Sequence, residues 1–316
     1  MNDLLCERRK KEMLEIITSS FTQGVVWAVM ALGVYITFRL LDIADLSAEG
    51  SFPLGAAICA TLITSGVHPI FATIAAFFGG GLAGVVAGWI HTKLKIPALL
   101  TGILLLTALY SINLHVMTGR PNIALLGQST LYSIVQEATG WSKNFSVTVV
   151  TLLILAVIII LLVTFLNTEI GLALRATGDN ETMSSANGIN TKRMKTLGYM
   201  LGNGLIALAG ALVAQKDGFS DIGMGIGTIV IGLASIIVAE VILPNKPLAI
   251  RMISLILGSF VYRLIIDIIL NQQLISIRAT DLRLFSAILL TIVLYLPEFQ
   301  RNQLQKKGIA NGGRSK

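Results

Sequence analysis

Apolar runs of membrane length, separated by short polar breaks, occupy most of the chain. Continuous apolar segments cover residues 17–40, 51–66, 68–92, 97–116, 146–167, 196–215, 228–243, 247–270 and 281–297. A membrane span needs about 20 predominantly apolar residues, so this spacing predicts an all-α polytopic membrane protein with roughly eight to ten transmembrane helices. The runs are continuous and do not alternate at a period of two, which argues against a β-barrel. Segment 51–66 is short and carries Pro53 near its start, so it reads as a broken or re-entrant helix. Such segments are tolerated where they are buried in protein or line a cavity.

The pattern is interrupted at 168–195 by the polar stretch TEIGLALRATGDNETMSSANGINTKRMK. It carries Glu169, Arg175, Asp179, Glu181, Lys192, Arg193 and Lys195, whereas 147–166 and 197–214 on either side carry no charge. An ion inside the bilayer costs at least ~2.5–3.5 kcal/mol. The stretch is therefore a surface feature that the membrane part presents to something else.

Composition supports the membrane reading. Hydrophobic residues make up 54% of the chain and charged residues 13%, with a mean hydropathy of +0.78. A soluble domain would carry about 25% charge. The formal net charge of +7 matters less than its location, since basic residues cluster at 8–11, 93–95, 192–195 and 301–316. Such clusters mark the cytoplasmic ends of helices, and they carry no nucleic-acid reading here. The two cysteines, Cys6 and Cys59, have neither disulfide-framework nor metal spacing.

Orientation follows from the basic clusters. Arg301, Lys306, Lys307, Arg314 and Lys316 place the C-terminus in the cytoplasm. Counting spans back also puts the turn at 244–247, the polar stretch and Lys93–Lys95 inside. The rule fails at the front, because three crossings between Lys11 and Lys93 would leave Arg8, Arg9, Lys10 and Lys11 outside. The expectation is a cytoplasmic N-terminus with one re-entrant or split segment among the first three, or an N-terminal helix lying on the membrane surface. The first apolar run is too long for a signal-peptide core and reads as a retained helix. The chain thus divides into a basic tail or interfacial helix at 1–16, one transmembrane domain at 17–297, and a basic tail at 298–316.

Several features invite chemistry. Asp42, Asp45 and Glu49 sit between two apolar segments and just ahead of Pro53. Two readings stand for this stretch: a solvated loop, or an unwound segment lining a permeation path, where Asp45, Ser47, Glu49 and Ser51 would meet a polar solute. A glycine series at Gly218, Gly223, Gly225, Gly227 and Gly232 is too dense for a helix interior. It is a loop, or an irregular backbone at a pore mouth that adds Gly223 and Gly225 to the path. Arg263 and Asp267 share a helix face at a spacing of four and form a structural ion pair or a gating contact. His68, His91 and His115 lack companions at ligand spacing, so no metal site is expected. No glycine-rich phosphate loop ending in Lys-Ser or Lys-Thr exists, and no assembled catalytic residues point to an enzyme.

The polar stretch also carries a resemblance. TEIGLALRATGDN, then Ala186, then Gly188-Ile189-Asn190, resembles the cytoplasmic loop of permease subunits of ATP-binding-cassette importers of the ribose and branched-chain amino-acid group. Asp45-Leu46-Ser47 with Gly50-Ser51 is similar to a stretch of the ribose-type permeases, and the likeness covers most of 20–295. Within the group the chain is most similar to permeases of the tryptophan and tyrosine type, through residues 44–56 and Tyr262-Arg263-Leu264-Ile265.

The resemblance implies an importer subunit in a bacterial plasma membrane. It would work as a homodimer with two ATPase subunits, which hold the ATP and magnesium, and an extracytoplasmic solute-binding protein. It further implies that Glu169, Gly171, Leu172, Leu174, Arg175, Ala176, Gly178, Asp179 and Asn180 form a coupling helix for the ATPase, and that the solute is an amino acid, an aromatic one in particular. Leu172 and Thr182 depart from the Arg and Pro frequent in the group, which removes one charged contact to the ATPase. The competing readings are an ion-coupled secondary transporter, and an importer permease for a sugar or nucleoside.

Overall fold

The computed structural model describes residues 2–244 and 246–270, together with 287, 288, 291 and 295. The predicted span at 281–297 lies largely outside the described residues, as do the tail at 298–316 and Asn245. Helix α1 (Asn2–Val34) runs into a π-helical turn at Tyr35–Leu40, and an irregular stretch leads to α2 (Ala48–Thr64). Then come α3 (Pro69–Lys93), α4 (Ala98–Val116), strand β1 (Asn122–Ala124), α5 (Leu131–Thr139) and α6 (Lys143–Leu166). The polar stretch folds as α7 (Glu169–Asp179) and α8 (Glu181–Ala186), followed by α9 (Thr191–Asp217), strand β2 (Phe219–Asp221), α10 (Thr228–Ile242) and α11 (Leu248–Leu270). The strands pair antiparallel, with Ile123 opposite Ser220.

Six segments are long and apolar enough to cross a membrane among the described residues: Met13–Leu40, α3, α4, α6, α9 and Leu248–Ile269. Helices α2 and α10 are apolar but shorter. Helix α9 is the centre, since 83% of its apolar window is buried against 28% for α4 and 33% for α6. Its small residues explain this position. A side chain at Gly55 of α2 would collide with the Ala207 backbone, and one at Gly210 with that of Phe52. Without a hydrophobic drive between helices in lipid, close backbone approach of this kind supplies the packing.

The two short helices both begin inside the bundle. Asp45, just ahead of α2, meets Asn203 midway along α9, and from there α2 rises until Thr61 donates to the Val116 carbonyl at the end of α4. Helix α10 starts where the Gly227 N–H reaches Glu49, and descends beside α1 until Glu240 meets Arg39. A long helix, an irregular stretch, a half-length helix and another long helix therefore occur in order twice, as α1–α2–α3 and α9–α10–α11. The two series run in opposite directions, and α9 packs on α3 as α1 packs on α11.

Two expectations are corrected here. The interruption near Pro53 lies at 41–47, ahead of an unbroken α2 that contains the proline. None of the first three segments turns back. The Leu40 end of α1 lies against Gly178 of α7, while its other end lies by the start of α6, with Thr22 Oγ1 2.8 Å from Thr148 Oγ1. Residues 41–64 recross as unwound chain plus helix, and α3 returns until Gly88 packs on Thr196 at the start of α9. The N-terminal end of α1 and the α7 end of the bundle are thus on opposite sides. The unwound stretch crosses without a helix because partners inside the bundle satisfy its polar groups, as lipid could not.

Candidate functional site

At the bundle centre, four polar side chains from three segments are wholly buried: Asp45, Ser47, Ser51 and Asn203. Asp45 Oδ1 accepts from the Ser47 backbone N–H at 2.9 Å and from Ser47 Oγ at 2.5 Å. Asp45 Oδ2 accepts from Asn203 Nδ2 at 2.7 Å. The other amide proton of Asn203 goes to the Tyr199 carbonyl at 3.1 Å, and its Oδ1 accepts from Ser51 Oγ at 2.7 Å. A buried carboxyl group is costly unless it is fully hydrogen-bonded, and here donors face both oxygens.

Glu49 and the glycine series complete this junction. Glu49 Oε1 accepts from the Gly227 N–H at 3.0 Å, where Gly227 has φ of 81° and caps α10. Pro53 has no N–H, so the Glu49 carbonyl loses its helical partner. Gly225 packs into that notch, where any side chain would strike the Glu49 carbonyl and the Pro53 ring. Gly223 sits in a turn, donating to Asp221 Oδ1 at 2.7 Å. Asp45, Ser47, Glu49, Ser51 and Gly225 are therefore brought together, with Gly223 just beyond. Asn203 was missed by sequence reasoning. Its only signal was a lone amide among small residues in an otherwise apolar run.

The second surface is α7–α8, at the end of the bundle. Thr168 caps α7 by accepting from the Gly171 N–H at 3.3 Å, and Asn180 caps α8 by accepting from the Met183 N–H at 2.9 Å. Gly171, Leu174 and Thr177 face the bundle. Glu169, Asp179 and Asn180 are exposed, and so are the apolar Ile170, Leu172 and Met183, at 52%, 51% and 64%. Arg175 and Ala176 are half-buried on the flanks. Gly178 lies directly on the backbone of Leu40 and Leu41, and a side chain there would overlap the Leu40 carbonyl.

Lys195 Nζ donates to Glu181 Oε2 at 2.6 Å and ties α8 to the start of α9. That hydrogen bond holds the Glu181 carboxyl below its usual range. The lowered value means that the pair stabilises the fold above the unfolded pKa and stops doing so as pH falls through the folded one. Glu181 is half exposed, with Lys195 less so, and solvent screening at the carboxylate keeps the contribution small.

Other expectations find definite places. Arg263 Nε lies 3.6 Å from Asp267 Oδ1, and Ser20 Oγ donates to Asp267 Oδ2 at 2.7 Å, so the pair also joins α11 to α1. Arg39 pairs with Glu240 at 2.7 Å, a contact the sequence spacing did not reveal. The His91 ring bonds the Ile96 carbonyl and the His115 ring the Ser111 carbonyl, both at 2.8 Å.

Comparison with known proteins gives consistent matches. The family described as branched-chain amino acid transport system / permease component matches residues 16–296. The tyrosine transport system permease protein of Clostridioides difficile is 42% identical over 274 residues, covering 87% of this chain and 88% of that protein. An uncharacterized protein of Rickettsia prowazekii is 36% identical, covering 74% of this chain and 80% of that protein. The ribose import permease protein of Bacillus subtilis is 29% identical, covering 54% of this chain and 52% of that one. No solved structure matches.

Proposed function

The chain belongs to the permease-component family of branched-chain amino acid transport systems, and on that footing we propose how this permease subunit of an ABC importer works and what it carries. It is a multi-pass membrane transport subunit and not an enzyme. The α7 side faces the cytoplasm of a bacterial cell, because Arg39, Lys93, Lys95, Arg175, Lys192, Arg193, Lys195, Lys246 and Arg251 gather there. Arg120, Lys143 and Lys216, with Arg263 paired to Asp267, are the basic residues of the other side between Met13 and Leu270. This orientation leaves the N-terminal end of α1 outside.

The functional unit is a pair of these chains with two ATPase subunits and an extracytoplasmic binding protein. The observation that carries the coupling reading is the seating of α7. Its exposed Ile170 and Leu172 offer an apolar contact to a partner, while Gly178 passes displacement to Leu40 and Leu41. Leu41 leads within a few residues to Asp45, and so to the junction from which α2 and α10 diverge. Movement of the ATPases thus tilts rigid helices about that junction, which is alternating access by hinge and shear. Asp45, Ser47, Glu49, Ser51, Gly223 and Gly225 form the joint in the wall of the translocation path. Arg263 and Asp267 are a structural pair. ATP and magnesium are held by the ATPase partners.

The solute is an amino acid, with tyrosine the first candidate on the strength of the Clostridioides difficile relative. In proteoliposomes containing the permease, its ATPase and its binding protein, labelled tyrosine is expected to accumulate only with internal ATP. Excess unlabelled tyrosine should compete and ribose should not. Uptake that survives without ATP and collapses with an ionophore would establish a secondary transporter instead.

A further inference from the structure

We propose that the chain binds a phosphate-bearing anion in a basic cavity between the end of α1, the flank of α7 and the start of α11. A cavity of about 370 Å³ is lined by Tyr35, Arg39, Arg175, Asp179, Lys246 and Arg251 among others. It adjoins a second of about 200 Å³ that shares Tyr35, Arg39 and Arg251 and reaches Glu240. Four basic groups thus face two carboxylates. One carboxylate, Glu240, is already engaged by Arg39 at 2.7 Å, which leaves Arg175, Lys246 and Arg251 against Asp179.

None of Arg175, Lys246 and Arg251 forms an ion pair among the described residues. Arg251 is held in place, since its Nε donates to the Lys246 carbonyl at 2.7 Å and its guanidinium lies beside Tyr35. A held guanidinium fork is the geometry that recognises phosphate oxygens two at a time.

A second observation points the same way. Tyr35 is 1% exposed and lines the cavity beside Arg251, yet no well-aligned hydrogen bond satisfies its hydroxyl within the chain. A buried hydroxyl short of a well-aligned partner costs free energy that a ligand oxygen bridging it to Arg251 would recover. The π-helical turn at Tyr35–Leu40 brings Tyr35 and Arg39 to one opening, and such turns occur often at functional sites. The cavity lies at the ends of two membrane-length helices, α1 and α11, at the depth of lipid headgroups, where basic pockets bind phospholipid phosphates. The same chemistry would take free phosphate.

The test compares thermal unfolding of the full chain with its ATPase in nanodiscs of phosphatidylcholine alone and of phosphatidylcholine with phosphatidylglycerol. A separate arm titrates inorganic phosphate into the phosphatidylcholine discs at constant ionic strength. A midpoint rise of several degrees with phosphatidylglycerol alone assigns the site to a lipid headgroup, and a rise with inorganic phosphate to a soluble anion. Either rise must be lost in Lys246→Gln/Arg251→Gln, reduced in Tyr35→Phe, and kept in Lys192→Gln/Arg193→Gln, which removes the same charge from an exposed site. No rise with either probe overturns the proposal, as does an equal loss in the two charge variants. Release of the ATPase from Lys246→Gln/Arg251→Gln without any anion effect would assign the cavity to a protein carboxylate and overturn it as well.

Discussion

Asn203 holds the unwound stretch 41–47 to the central helix through hydrogen bonds that no single apolar residue can replace. Asn203→Leu leaves the buried Asp45 carboxyl short of a donor, at a cost of about 1–3 kcal/mol and more if it is ionised. Asp45→Leu has the opposite defect. The two changes together should therefore cost less than the sum of the singles, with a coupling of roughly 0.5–3 kcal/mol. Thermal unfolding of the purified variants checks this, and strict additivity would show that the pair is not energetically linked. The sequence exposed Asp45, Ser47 and Ser51 as oddities next to Pro53 but gave no partner for them. The partner is about 158 positions away, and hydrogen bonds of that separation leave no trace in local pattern.

Helix α7 was legible as an element before the structure. Its caps, its length and its insertion between two uncharged spans all lie in local sequence. What local pattern could not show is which face turns inward. Leu174 is fully buried against its own bundle, whereas Leu172 is 51% exposed, although both are leucines two residues apart. Nor could it show that Gly178 touches the Leu40 backbone. Gly178→Val should separate α7 from that backbone, so ATP hydrolysis by the associated ATPase would continue while solute uptake falls by about tenfold or more, equivalent to some 1.4 kcal/mol of coupling. Unchanged uptake per ATP hydrolysed would remove Gly178 from the transmission path.

At the scale of the whole molecule, periodicity predicted the membrane class and nearly every span, because lipid forces apolar runs to helix length. It did not predict the opposed repetition of α1–α2–α3 and α9–α10–α11, since the two series share shape and not sequence. Its three crossings between Lys11 and Lys93 stand, against the re-entrant segment that the basic N-terminus suggested. A charge rule reads sidedness from basic tails, and here the bundle's own contacts set the threading of α1. Two half-length helices meeting at Glu49 and Gly227 give the bundle a joint at its centre, with α7 placed at the end from which that joint is reached.

The central claim is that the exposed face of α7 is where the ATPase engages this permease. The most direct measurement is ATP hydrolysis by the reconstituted complex, with and without solute-loaded binding protein, for the wild-type chain and for Ile170→Glu/Leu172→Glu. These substitutions alter exposed positions and should leave the unfolding midpoint unchanged. The account predicts that stimulation by the loaded binding protein disappears and that the ATPase no longer co-purifies. Full stimulation with the ATPase still bound would contradict it.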